Sequence, residues 1–227
     1  MLDTLRSDKY RPKVVIFTVY LAMLIDCLLF TIVVPILPDY LIRIKDTNDT
    51  SYLDASLHRQ NISNFTQLEH EQSYHEAFVS NNIPVAMLLG SKAVVQIPTG
   101  LIVSQITYRI GYSIPLFIGF IIIIVSSLLF AFATSYWTLF FARSLNGVGS
   151  GFTAVSGLGM LAETFPDNVQ RGKAIALAFG GIAIGITAGP VIGGFLYSFG
   201  GIVLPFGLLA GVSLLEGGEF EYEFYFY

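Results

Sequence analysis

Apolar runs of about 20 residues, interrupted by isolated polar groups, recur along this 227-residue chain. A run of that length crosses a hydrocarbon core about 30 Å thick as a helix. Inside such a core every backbone N–H and C=O needs a partner within the protein, so a chain of this pattern folds as membrane-spanning helices. Six segments qualify: Val14–Leu37, Pro84–Ile106, Ile114–Ala133, Tyr136–Ala162, Ala174–Phe199 and Ile202–Leu215. The last is short for a full crossing at a rise of about 1.5 Å per residue. The expected fold class is an all-α, multi-pass membrane protein. Composition agrees, with 54% hydrophobic and 12% charged residues, where soluble domains carry about 25% charged. Disorder is excluded by the same figures, and a disulfide scaffold by the single cysteine, Cys27. A net charge of −4 with 12 Lys+Arg leaves no basic face for nucleic acid.

The segments divide the chain into a cytosolic N-terminus at 1–13, a first transmembrane helix at 14–37, a luminal loop at 38–82, helices two to six at 83–215, and an atypical tail at 216–227. Arg6, Lys9, Arg11 and Lys13 precede the first span and keep the N-terminus cytosolic by the positive-inside rule. Arg109, Arg171 and Lys173 fall in short loops on the same side. The first span exceeds a signal-peptide core and reads as a retained signal anchor. The tail, GGEFEYEFYFY, alternates acid with aromatic and reads as a truncation or a mis-joined gene model. The loop at 38–82 holds sequons at Asn48, Asn61 and Asn64, with seven acids, three bases and all three histidines. It reads as a solvated, glycosylated segment. A pH-sensing role for His58, His70 and His75 stays open.

A charge at mid-span costs roughly 2.5–3.5 kcal/mol on insertion scales, so each one is a functional candidate. Counting from the luminal ends of their spans, Asp26 lies about 16 Å deep, Lys92 about 12 Å and Arg143 about 10 Å. One carboxylate and two cations at similar depth suggest a polar cavity between helices. Arg143 is alternatively a snorkelling arginine, and Lys92 a structural ion-pair partner. Asp26 is too short to snorkel and must face a cavity, a cation or a proton. Gln96 lies one turn beyond Lys92 on the same face, a ligand contact or a helix–helix hydrogen bond.

Gly181, Gly185, Gly189 and Gly193 recur every fourth residue, a spacing that lets two helix backbones approach closely. Pro190 within that run removes a hydrogen bond and bends the helix. Gly147, Gly149 and Gly151 imitate part of a dinucleotide fingerprint, but with no preceding strand that reading fails. No metal-ligand cluster, P-loop or nucleophile–histidine arrangement is present, so neither an enzyme nor a metal or organic cofactor is expected.

Gly185-Ile-Thr-Ala-Gly189-Pro190-Val-Ile-Gly193-Gly194 resembles the antiporter motif of the major facilitator superfamily, and Arg143-Ser-Leu-Asn146-Gly147-Val-Gly149 its fourth-helix motif. Tyr108-Arg109-Ile110-Gly111 stands where the loop motif belongs, with Tyr108 and Ser104 departing from it. More narrowly, Leu24-Ile25-Asp26-Cys27-Leu28-Leu29, Val33-Val34-Pro35-Ile36-Leu37-Pro38, Ser91-Lys92-Ala93-Val94-Val95-Gln96 and Gly159-Met160-Leu161-Ala162 resemble the vesicular amine transporters. Gly159–Ala162 and Gly180-Gly181-Ile-Ala-Ile-Gly185 look more like the monoamine branch of that family. Pro38-Asp39-Tyr40 is closer to the acetylcholine branch.

The resemblance implies a six-helix N-terminal bundle of a twelve-helix carrier that exchanges luminal protons for cytosolic monoamines in secretory or synaptic vesicle membranes, driven by a proton gradient. It implies that Asp26 engages the substrate ammonium, that Lys92 pairs with an aspartate of the C-terminal half, and that Arg143, Asn146 and Gln96 line the cavity. Protonated amine, protons and membrane lipid are the expected partners, with the C-terminal half needed for function. Cys27 replaces the family's usual asparagine, and the loop lacks the cysteine of the family's disulfide. The alternatives are an acetylcholine carrier, another proton-coupled drug or organic-cation exporter, and a non-transporting isoform that binds the full-length carrier.

Overall fold

The computed structural model describes the backbone of residues 2–48 and 67–226, and side-chain surroundings for residues 12–36 and 83–218. The described residues form six helices: α1 Leu2–Asn48, α2 Gln67–Ile110, α3 Ser113–Ala131, α4 Tyr136–Thr164, α5 Asn168–Gly200 and α6 Val203–Phe226. Four contain stretches long and apolar enough to cross a membrane: Pro12–Ile36, Ile83–Ile110, Ser113–Ala131 and Asn168–Gly200. Val203–Gly218 is a shorter apolar helix.

Three sequence expectations change. The α4 segment, expected as an apolar span, is long enough at 29 residues but is not among those four. Arg143, Asn146, Ser150, Thr153 and Ser156 lower its hydropathy, and all five are buried among other helices. The sixth helix, expected to stop at Leu215, runs 24 residues to Phe226. The apolar run ends at the acid Glu216, whereas the backbone helix passes through acids and aromatics alike. Helix also extends into the segment read as a loop, because residues 39–48 and 67–83 contain neither glycine nor proline. Asn48 is the last residue of α1, while Asn61 and Asn64 lie outside the described residues.

Tight turns connect the helices. Gly111 takes φ +82° between α2 and α3, and its N–H bonds Thr107 O at 2.9 Å. Gly201 closes α5 in the same way, at φ +59°, with its N–H on Tyr197 O at 2.9 Å. Side chains resist positive φ, so glycine is required at both turns. Asp167 caps α5 by accepting from the Gln170 N–H at 3.1 Å.

α1 packs chiefly against α5, α4 against both α2 and α3, and α6 against α3. The glycine stripe explains the first contact. A Cβ at Gly181 would lie 2.6 Å from Tyr20 O, one at Gly185 2.6 Å from Cys27 Cβ, and one at Gly193 2.9 Å from Ile32 Cγ1. Gly189 faces the Thr31 hydroxyl more closely still. Only a surface without side chains admits α1 at that separation. Gly194 and Pro190 of the same motif are exposed on another side of α5. α4 uses the same device, since a Cβ at Gly147 would lie 2.5 Å from Lys92 O and one at Gly151 2.9 Å from Thr99 Cγ2. Leu29, Ile32, Val33, Leu88, Ile123, Phe130 and Phe206 fill the largest core cluster, with Phe130 and Phe206 stacked at 4.9 Å.

Candidate functional site

α1, α2 and α4 each carry one intramembrane charge to a common level. Lys92 Nζ donates to Asp26 Oδ1 at 2.9 Å, with the lysine side chain 6% and the aspartate 16% exposed. Ser150 Oγ of α4 donates to the same oxygen in a very short hydrogen bond. Both donors converge on Oδ1, so among the described residues Oδ2 has no hydrogen-bond partner and remains available to a second cation. The close approach that permits this is the α2–α4 contact at Gly147, which lies beside the Lys92 backbone.

Arg143 is fully buried, which removes the snorkelling alternative. Its Nη1 donates to Leu29 O and its Nη2 to Phe30 O, each at 3.3 Å. The guanidinium therefore ties α4 to the backbone of α1 instead of to a carboxylate. Its Nε has no hydrogen-bond partner. Phe30 lies one helical turn from Asp26 on α1, so the two share a face. The Phe30 ring centroid stands 5.4 Å from Lys92 Nζ and 4.9 Å from Arg143 Cζ. Its ring is thus within reach of both cations.

Asn146 lies on the same buried face of α4, with neither amide atom hydrogen-bonded. Gln96 is half-buried one turn beyond Lys92. The structure therefore gathers Asp26, Lys92, Arg143 and Asn146, and places Gln96 at their margin. Of the antiporter-motif glycines, Gly185, Gly189 and Gly193 lie instead on the contact between α1 and α5, and Gly194 is exposed. Within this bundle Lys92 has a partner, Asp26, because the two residues lie at the same depth on helices held close by the α4 glycines.

Ser150, Phe30 and Thr31 are contributors the sequence reading missed. Arg143, Asn146, Ser150 and Thr153 fall at three- and four-residue intervals, so helical periodicity places Ser150 on the arginine's face. A phenylalanine in an apolar span reads as core, and nothing local distinguishes Phe30. Thr31 Oγ1 lies 2.7 Å from Cys27 O and 3.0 Å from Gly185 O. Its single hydroxyl proton can serve its own helix or bridge to α5.

One carboxylate holds one ammonium here, with a second cation, Arg143, bonded to the neighbouring backbone, in a low-dielectric interior where unpaired charge is expensive. A cation entering the site must either share Asp26 with Lys92 or displace it. The arrangement can exchange one ammonium group for another at a single carboxylate.

Comparison with known proteins agrees with this picture. The chain is 34% identical to the synaptic vesicular amine transporter of Mus musculus, over 96% of this chain and 50% of that protein. It is likewise 34% identical to the chromaffin granule amine transporter of Rattus norvegicus, over 94% of this chain and 49% of that protein. The probable vesicular acetylcholine transporter-A of Danio rerio is 34% identical over 95% of this chain and 39% of that protein. The chain spans about half the length of the amine transporters it matches. The sequence profile described as Major Facilitator Superfamily matches residues 19–217, and with that match across the six-helix bundle the chain belongs to the major facilitator superfamily.

Proposed function

We propose that this chain forms the N-terminal half of a proton-coupled antiporter that loads monoamines into secretory or synaptic vesicles. One observation carries the reading: Asp26, deep within the bundle, holds an ammonium group and keeps a second carboxylate oxygen free. A protonated amine brings the same charge and the same N–H donors as the lysine ammonium, so it is the cargo this carboxylate recognises. Similarity to amine carriers over nearly the whole chain supports that assignment.

In this reading Asp26 engages the cargo ammonium, Lys92 alternates between Asp26 and other partners during coupling, and Arg143, Asn146 and Gln96 supply polar lining. The proton gradient is the energy source, and no organic cofactor or metal takes part. The N-terminus faces the cytosol, and Asn48, Asn61 and Asn64 face the lumen as glycan acceptors. The second half of the carrier closes the site and supplies further proton-coupling acids. Alternating access then rocks two bundles about the midplane, with the tight α1–α5 contact keeping this bundle rigid.

The test is proton-driven uptake of labelled serotonin, dopamine and acetylcholine into vesicles. The chain itself and the chain extended by its downstream genomic exons are compared. The reading expects serotonin and dopamine uptake by the extended form. Uptake of acetylcholine alone would move the chain to the acetylcholine branch, and uptake of none would reject amine transport.

A further inference from the structure

Phe30 is the group that the exchange at Asp26 leaves unexplained. Phe30 is 39% exposed and Val34, one turn on along the same face, 44%, while Leu29 and Ile32, on other sides of α1, are buried. Two cationic groups lie near it, Lys92 Nζ at 5.4 Å and Arg143 Cζ at 4.9 Å from the centroid. Its position one turn from Asp26 puts the carboxylate and the aromatic face side by side along α1.

An ammonium already neutralised by a carboxylate presents a dipole to a ring, and the attraction is weak. An unpaired ammonium presents its full charge, and the attraction to the ring quadrupole is correspondingly stronger. The ring therefore discriminates between the two states of Lys92. While Lys92 holds Asp26 the ring contributes little. When another ammonium takes Asp26, Lys92 becomes a buried charge without its carboxylate, the costly half of a broken ion pair. The nearest aromatic face is then that of Phe30.

We propose that Phe30 is a second cation-binding station of the site, which holds the Lys92 ammonium whenever a protonated amine occupies Asp26 and so sets the affinity for that amine. This rests on the amine-carrier reading only for the identity of the displacing cation. The station itself is a property of Lys92, Asp26 and Phe30 in this chain. Phe30 acts here as a positioning residue, through Lys92.

A substrate-free test removes the carboxylate by mutation. Purified full chain in lipid nanodiscs is compared by thermal unfolding as wild type, Phe30→Leu, Asp26→Asn and the double variant. In Asp26→Asn the lysine is unpaired and depends on the ring. Phe30→Leu is expected to lower Tm by roughly 2–4 °C more in that background than in wild type. Phe30→Tyr, which keeps the ring, is expected to show no such excess. Adding Lys92→Met to Asp26→Asn is expected to abolish the excess, because Arg143, whose contact with the ring is common to every background, is then the one cation left beside it. Equal Tm losses in the two backgrounds would overturn the proposal.

A second arm measures equilibrium binding of tritiated serotonin, and also serves if Asp26→Asn fails to fold. Phe30→Leu is expected to weaken binding roughly threefold to thirtyfold, and Phe30→Tyr by less than about twofold. Serotonin binding that depends on Asp26 but is untouched by Phe30→Leu would overturn the station while leaving amine recognition intact. A positive Tm cycle without serotonin binding would uphold the station and reject serotonin as the displacing cation.

Discussion

Lys92 and Asp26 stand 66 positions apart in the chain, yet their side chains meet at 2.9 Å inside the bundle. They are brought together from α2 and α1 by α4, whose Gly147 admits the Lys92 backbone and whose Ser150 donates to the same carboxylate oxygen. A buried ion pair adds little net stability, because both ions must be stripped of water. Its consequence is a site in which one ammonium can replace another.

Removing a single partner of that pair leaves the other charge stranded. Asp26→Asn is expected to destabilise the chain by about 3–5 kcal/mol, and Asp26→Asn with Lys92→Met by clearly less. Thermal unfolding of the purified variants in one lipid system checks the order. Equal losses in the single and double variants would show that the pair is not the source of the cost.

Arg143→Lys conserves the charge but not the planar fork that spans Leu29 O and Phe30 O. A lysine amine reaches one carbonyl at best and strands the other. Unfolding is expected to come earlier by roughly 1–3 kcal/mol, and hydrogen exchange along α1 to accelerate. Unchanged exchange at residues 29–34 would contradict the clamp.

The antiporter-motif glycines divide by face. Gly185→Ala places a methyl group 2.6 Å from Cys27 Cβ and 3.0 Å from Leu24 O, so it is expected to cost about 1–3 kcal/mol through overpacking. Gly194→Ala meets nothing within 4 Å, and is expected to be neutral or stabilising by about 1 kcal/mol through helix propensity. Paired melting curves compare the two.

Thr31→Val keeps the shape of the side chain and deletes the hydroxyl that lies between Cys27 O and Gly185 O. The expected loss is about 1 kcal/mol, recovered in Thr31→Ser. A loss that Thr31→Ser does not recover would assign the role to the methyl group.

The common depth of Asp26, Lys92 and Arg143 was legible by counting residues from the span ends, because helical rise is nearly constant. The glycine stripe was legible for the same reason, since a four-residue repeat marks one face. Its partner was not, because adjacency in the bundle joins α1 to α5, and nothing local in either helix names the other. The Lys92–Asp26 pair was not legible as a contact, because residues 66 positions apart in the chain, on two helices, meet only once the bundle is packed. Ser150 escaped notice because a serine in a helix commonly bonds its own backbone. Phe30 escaped because an aromatic side chain in an apolar run has no signature apart from its neighbours. The length of α6 was misread because hydropathy reports the surroundings of a helix and not the backbone signals that end it.

Whether a protonated amine is held at Asp26 is decided by proton-driven serotonin uptake, compared between the parent carrier and its Asp26→Asn variant. Both are expressed with the downstream exons and matched for protein in acidified vesicles. Saturable uptake by the parent and its loss in Asp26→Asn are expected. Uptake by Asp26→Asn at the parent rate would contradict the account, because the carboxylate that holds the ammonium would then have no part in transport.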